Sequence, residues 1–186
     1  MAVDVVFETR STSTDNESGH ATGWLPGTLS TLGRDQAREL GARRRDDGIA
    51  AVFASDLHRA VETAEVAFGG ALPLFLDWRL RECDYGELNG APREAVHDRL
   101  ARLDAPYPGG ESWRAAVERV GWFLRDAALR YDGRRILVIG HVATRFGLDH
   151  HVQGVPLERL AAEEFAWRPG WEYRYAAATS ASTSAP

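Results

Sequence analysis

Lysine is missing altogether: all 22 basic residues of this 186-residue chain are arginine. Codon bias is explanation enough for most of them, yet arginine is also the better side chain for gripping phosphate with two parallel hydrogen bonds. Cysteine occurs once, at Cys83, which excludes an internal disulfide and any CxxC metal or redox pair. Cys83 lies in a charged stretch with no nucleophile signature and reads as a structural thiol. A basic excess is lacking as well. The net charge of −5 and pI near 5.7 argue against a nucleic-acid surface, so any anion site has to be local. No run approaches the ~20 apolar residues that span a bilayer, and no basic segment precedes an apolar one at the N-terminus. The expectation is a soluble, cytoplasmic protein without nucleic-acid or membrane partners.

What is present is ordinary globular material. With 44% hydrophobic and 26% charged residues the chain has enough apolar surface for a real core, and its length suits one domain. We assign that domain to residues 1–175 and read the low-complexity end, AAATSASTSAP (176–186), as a disordered tail. Short apolar runs alternate with segments of helical period, the pattern of a three-layer α/β/α fold with a mostly parallel sheet flanked by helices. VDVVF (3–7), IAAVFASD (49–56), LPLFLD (72–77) and RRILVIGH (134–141) read as strands. LSTLGRDQARELGARRRDD reads as a helix with Ser30 as N-cap, Leu32, Ala37, Leu40 and Ala42 on one side, and an end near Gly48. LHRAVETAEVAFG and ATRFGLDHHVQG read as two more. GGESWRAAVERVGWFLRDAALRYDG is strongly amphipathic, with Trp113, Val117, Val120, Phe123, Leu124 and Ala127 on one apolar face that belongs to the core rather than to a cofactor. Residues 77–108 fit no single period and read as an insertion over the site with a short helix near 92–103. FAWRPGWEYRY (165–175) is a candidate homodimer surface, packing against the chain's own sheet being the better reading.

Ligands of open α/β sheets bind beyond the carboxyl ends of the strands. Those positions hold Arg10, Arg59, Glu82 and His141. Two guanidiniums, a carboxyl and an imidazole suit a pocket for phosphate or carboxylate with acid/base capability. Each has a plainer explanation taken alone: a hydrogen-bonded structural histidine, a solvated helix arginine, a Glu82 paired with Arg79 or Arg81. Convergence at one sheet edge is what raises them above it. No metal site is indicated, since the histidines and carboxylates show no ligand spacing.

SDLHRAVETAE, LRECDYGELNG, PGGES and ILVIGHVATR, with DNESGHATGWLPGTLSTLGRDQA before them, resemble the motifs of the histidine phosphatase (phosphoglycerate-mutase-like) superfamily, in order, from about Val3 to Tyr175. The resemblance implies the same layered fold, a pocket at the strand carboxyl ends, and no metal or other cofactor. It implies that Arg59 binds phosphate, that Glu82 protonates the leaving oxygen and that His141 stabilises the transferring phosphoryl group. Asn16 would lie near the phosphate, and Glu111 falls in a motif bordering the site.

The family's first motif, Arg-His-Gly, is where this chain departs. Counting back from Asn16 puts Thr9 at the Arg, Arg10 at the phospho-acceptor His and Ser11 at the Gly, so all three become candidate phosphate-binding positions without a nucleophile. A guanidinium has no lone pair to offer, whereas an imidazole with a pKa of about 6.5 does. Arg10 and Arg59 would then present two forked donors to one anion. Three readings follow for a small phosphorylated or otherwise anionic metabolite: a repurposed acid/base enzyme (dehydration, isomerisation, cyclisation or direct hydrolysis) using Glu82 and His141; a non-catalytic binding pseudophosphatase; or a residual phosphomonoesterase in which water or His20 attacks. Specificity would come from the 83–108 segment, where Tyr85, Arg93, His97 and Tyr107 face either the pocket or solvent.

Overall fold

The computed structural model describes residues 1–177. The elements in chain order are β1 (Ala2–Thr9), the single turn α1 (Thr14–Glu17), α2 (Thr31–Arg44), β2 (Ile49–Ala54), α3 (His58–Phe68), β3 (Leu74–Leu76), α4 (Trp113–Arg130), β4 (Arg135–Gly140), α5 (Val142–Gln153), α6 (Leu157–Ala162) and β5 (Trp171–Ala176). One sheet has the order β3-β2-β4-β1-β5, parallel except for β5, which runs antiparallel to β1. The mixed, mostly parallel sheet anticipated from the strand pattern is therefore present.

The central strands are apolar on both faces because helices cover both. Successive side chains of a strand point to opposite faces, and β4 shows the division: Ile136 and Val138 pack with Phe123 and Leu124 of α4, whereas Leu137 and Ile139 pack with Leu40 of α2 and Ala60 of α3. Among the described residues no helix is long and apolar enough to cross a membrane. The apolar face expected for α4 is buried throughout, and Ser112 caps its N-terminus by accepting from the Ala115 amide at 3.2 Å.

Several elements differ from expectation. Helix α2 keeps its Ser30 N-cap, which accepts from the Gly33 amide at 3.1 Å, but it ends at Arg44 and leaves Leu32 and Ala42 exposed. Its buried face is Gly33, Ala37, Leu40, Gly41 and Arg44, because the helix lies close to other backbones: a Cβ at Gly33 would collide with the Thr12 carbonyl, and one at Gly41 with that of Ala67. The helix expected near 92–103 is only a 3-10 turn, Arg93–Val96, begun at Pro92. The 77–108 segment consists of three such turns over a small core of its own, in which Tyr85, Val96, Leu103 and Tyr107 pack on Trp113 and Phe146. Helix α6 and strand β5 carried no separate expectation. The WEYRYA run pairs with β1 and buries Trp171 and Tyr173, so this end packs on the chain's own sheet. Ala176 belongs to β5 and the Ala177 amide donates to the Met1 carbonyl at 3.0 Å; the rest of the expected tail, 178–186, lies outside the described residues.

Candidate active site

Parallel pairing aligns the ends of three strands. Thr9 sits opposite Gly140 and Ala54 opposite Ile139, so the chain leaves β1, β4 and β2 at Arg10, His141 and Ser55 along one edge. The Arg10 amide donates to the Gly140 carbonyl at 2.9 Å, which fixes the first exit against the second. Beyond this edge lies a cleft of about 710 Å3 whose wall includes Thr9, Arg10, Asn16, Arg59, Glu82 and His141. His20 is also on that wall, exposed at the mouth, with Nδ1 3.0 Å from the Ser18 hydroxyl. Ser11 and Glu111 are not. The Ser11 side chain is buried behind the cleft, where its amide donates to the Thr63 hydroxyl at 3.0 Å.

Arg10 is positioned by its own loop. Its Nη1 donates to the Ser11 carbonyl at 2.9 Å and to the Asn16 amide oxygen. That oxygen also accepts from the Ser13 amide and hydroxyl, so Asn16 acts first as the brace for Arg10. With Nη1 occupied, the Nε–Nη2 side of the Arg10 guanidinium is the side without a protein partner. Burial lowers the Arg10 pKa, while the Glu82 charge draws it back up.

Arg59 is almost wholly buried, and its terminal nitrogens are committed. Nη1 donates to the Leu25 carbonyl at 2.8 Å and Nη2 to that of Gly23 at 2.7 Å. Nη2 also lies 3.5 Å from His141 Nδ1. Only Nε lacks a partner, and that nitrogen is itself buried, so Arg59 does not present the fork expected of it. Burial, and then the Arg10 charge, push its pKa down to about 10. A guanidinium in that range is still protonated at neutral pH.

His141 follows β4 and precedes α5. Burial, reinforced by the nearby Arg59, Arg10 and Arg119 charges, drives its pKa well below the usual imidazole range, so the ring is neutral near pH 7. Since Arg59 can only donate, Nδ1 is the acceptor and the proton resides on Nε2, which has no partner in the protein. His141 therefore holds a buried, unpartnered N–H donor at the edge of the cleft instead of a base.

Glu82 is the carboxylate of the site. Its Oε1 accepts from the Cys83 and Ala143 amides at 3.0 and 3.1 Å, and Oε2 from the Val142 amide at 3.4 Å. Val142 and Ala143 open α5, an end that attracts negative charge. Oε2, with one long bond, is the oxygen with capacity left. The Glu82 carbonyl is pinned by Trp24 Nε1 at 2.7 Å and by Arg119 Nη2 at 2.8 Å.

Arg119 was not apparent from the sequence, since an arginine inside an apolar helix face has no motif. It donates to the Arg79, Arg81 and Glu82 carbonyls, each at 2.8 Å, and to both Glu111 oxygens. Glu111 thus supports the segment bearing Glu82 from behind. Of the four specificity candidates, Tyr85, Arg93 and His97 line the cleft, whereas the Tyr107 hydroxyl is turned inward to the Val96 carbonyl at 3.1 Å. Thr12 and Gln36 on one wall, and Glu164, Phe165 and Trp167 on another, were likewise missed. Among the described residues no three His, Cys, Asp or Glu side chains gather as a metal ion would require.

Comparison with known proteins gives the family and the fold. The family model described as histidine phosphatase superfamily (branch 1) matches residues 9–167. The chain belongs to the histidine phosphatase superfamily. Relatives within it include the 2,3-bisphosphoglycerate-dependent phosphoglycerate mutase of Methylorubrum extorquens (strain PA1), 30% identical over 176 residues that cover 86% of this chain and 83% of that protein. The enzyme of the same name from Chelativorans sp. (strain BNC1) is 34% identical over 162 residues, covering 78% and 79%. In fold, the chain is similar to Bacillus stearothermophilus YhfR, with a TM-score of 0.80 at 24% identity over 90% of this chain and 88% of that one.

Proposed function

We propose that this histidine-phosphatase-like chain binds a small phosphorylated or otherwise anionic metabolite and acts on it by proton transfer at Glu82, without a phosphohistidine intermediate. The observation that carries the reading is Arg10. It stands six residues before Asn16, the position at which the resemblance to the superfamily's Arg-His-Gly motif would put the nucleophile, and its guanidinium has no lone pair with which to accept a phosphoryl group. The floor offers Nε and Nη2 of Arg10 without protein partners, together with the buried, unpartnered Nε of Arg59 and Nε2 of His141. Charge-assisted hydrogen bonds of this kind contribute roughly 1.5–3 kcal/mol each where water is partly excluded. Tight binding of the ground state does not accelerate a reaction, so turnover needs a group that changes protonation. Glu82 Oε2 fills that role, while His141 serves as a fixed donor for developing negative charge. A dehydration, isomerisation, cyclisation or direct hydrolysis fits these parts. The names of the related mutases make phosphoglycerate and 2,3-bisphosphoglycerate the first ligands to test.

The experiment is hydrolysis of a generic aryl phosphate by the unmodified chain, by the single variant Arg10→His and by a double variant that adds Thr9→Arg. Phosphatase activity, with a trapped phosphoenzyme, is expected only in the two variants carrying Arg10→His, most of all in the double one. Vigorous turnover with a phosphoenzyme in the unmodified chain would refute the reading. A second reading, a non-catalytic pseudophosphatase, is favoured by the three amide bonds that Glu82 accepts, since these also suit a carboxylate serving only to cap α5. Saturable ligand binding with no conversion, unchanged in Glu82→Gln, would decide for it.

A further inference from the structure

The anion floor uses only part of the cleft. A volume of about 710 Å3 lies in the ~300–1,000 Å3 range that holds a drug-sized ligand, far more than a phosphate or carboxylate fills. The remaining wall comes from the loop between α6 and β5. Two aromatic residues of that loop face the cleft and they differ in kind. Phe165 is an anchor, half-buried with its ring 5.9 Å from Trp171. Trp167 is 61% exposed, more than any other large apolar side chain among the described residues, and it lines the cleft.

An indole left bare on a convex surface needs no explanation, but one held at the rim of a concave, charged site does. The loop is tied at both ends. Arg99 Nη1 donates to the Glu163 carbonyl at 3.0 Å, and the Arg168 guanidinium lies 5.0 Å over the Trp171 ring. On the 91–99 side of the cleft stand Val96 and Arg93, whose guanidinium donates a single 3.4 Å bond to the Asn16 carbonyl. A cation and an aliphatic side chain lining the same cleft as a bare indole suit a flat, electron-rich group.

We propose that the ligand has two parts: an anionic head on the Arg10 floor and a planar aromatic or heteroaromatic group stacked on Trp167 at the mouth. The proposal rests on the anion-binding reading of the floor. It makes Trp167 the specificity-determining residue and gives the 163–170 loop a function.

Calorimetric titration with methylphosphonate and phenylphosphonate, which share a non-hydrolysable head and differ in the ring, separates the two ideas. Phenylphosphonate should bind on the order of tenfold more tightly, the worth of one stacked ring. Trp167→Ala should erase that preference while leaving methylphosphonate affinity unchanged, and Trp167→Phe should retain most of it. Equal affinities for the two probes in the unmodified chain would overturn the aromatic subsite and leave the anion floor standing. A preference that survives Trp167→Ala would also overturn it. Binding of neither probe would overturn the floor and the subsite together.

Discussion

At the scale of single residues the site is a set of charges held against their solvation. His141 is the clearest case, because burial and three nearby guanidiniums favour its neutral form. Its native pKa lies below the unfolded value of about 6.5, so between the two the unfolded chain binds more protons than the native one. This contribution to stability is complete above about pH 6.5 and is lost as pH falls toward the native pKa, at up to about 1.4 kcal/mol per pH unit. Urea denaturation at pH 7.5 and 5.5 should therefore show the unmodified chain losing more stability than His141→Asn; parallel losses would contradict the assignment. The four polar side chains of the floor were legible as residues, each standing just beyond a strand or in a motif. Their spent and unspent nitrogens were not. That Arg59 gives its terminal nitrogens to the Gly23 and Leu25 carbonyls depends on where a loop more than thirty residues away comes to rest.

At the scale of elements, what holds Glu82 in place is not a regular element. The 3-10 turn Trp78–Leu80 runs into a non-repetitive stretch, and the Arg79, Arg81 and Glu82 carbonyls converge on Arg119 of α4. Replacing Arg119 by Met would strand the partly buried Glu111 carboxylate and three carbonyls, a loss toward the lower end of the about 3–5 kcal/mol that breaking a fully buried pair costs. Chemical denaturation should report a loss of that size, with a matching loss of any Glu82-dependent turnover. Helix α2 makes a second prediction. Gly33→Ala would drive a methyl group into the Thr12 carbonyl, displacing the loop that carries Arg10, so anion affinity should fall along with stability when both are measured on the same variant. Helices α2 to α5 and the parallel strands were legible because burial on one or both faces imposes a period. The 77–108 turns were not, since their cohesion comes from a satellite core around Trp113 that no short window contains. The six-residue α6 is too short to print a period, and β5 is masked by the Arg-Pro-Gly turn and three aromatics beside it.

At the scale of the whole molecule the cleft gathers residues from both ends of the chain, from Thr9 to Trp167. A ligand seated there binds only the assembled fold. Saturation at a hundred times its dissociation constant should raise unfolding free energy by about 2.7 kcal/mol. A thermal melt with and without methylphosphonate checks this, and Arg10→Gln should abolish the shift. The 93–99 wall was anticipated through Arg93 and His97, whereas the aromatic mouth was not legible, because residues 164–167 meet that wall only once α5 and α6 have packed.

Strands β1 and β5 run antiparallel, with Ala2 beside Ala176, so the ends of the described chain lie next to each other at the same end of the sheet. Tension applied between Met1 and Ala177 would load the hydrogen bonds of this pair one after another instead of all at once. The sheet would open like a zipper at low force from its last strand, even though its parallel centre would resist shear. The first structure released would be β5, and with it the 163–170 loop that presents Trp167. A pull on the two ends would thus open the mouth of the cleft while the floor at Arg10 stayed intact.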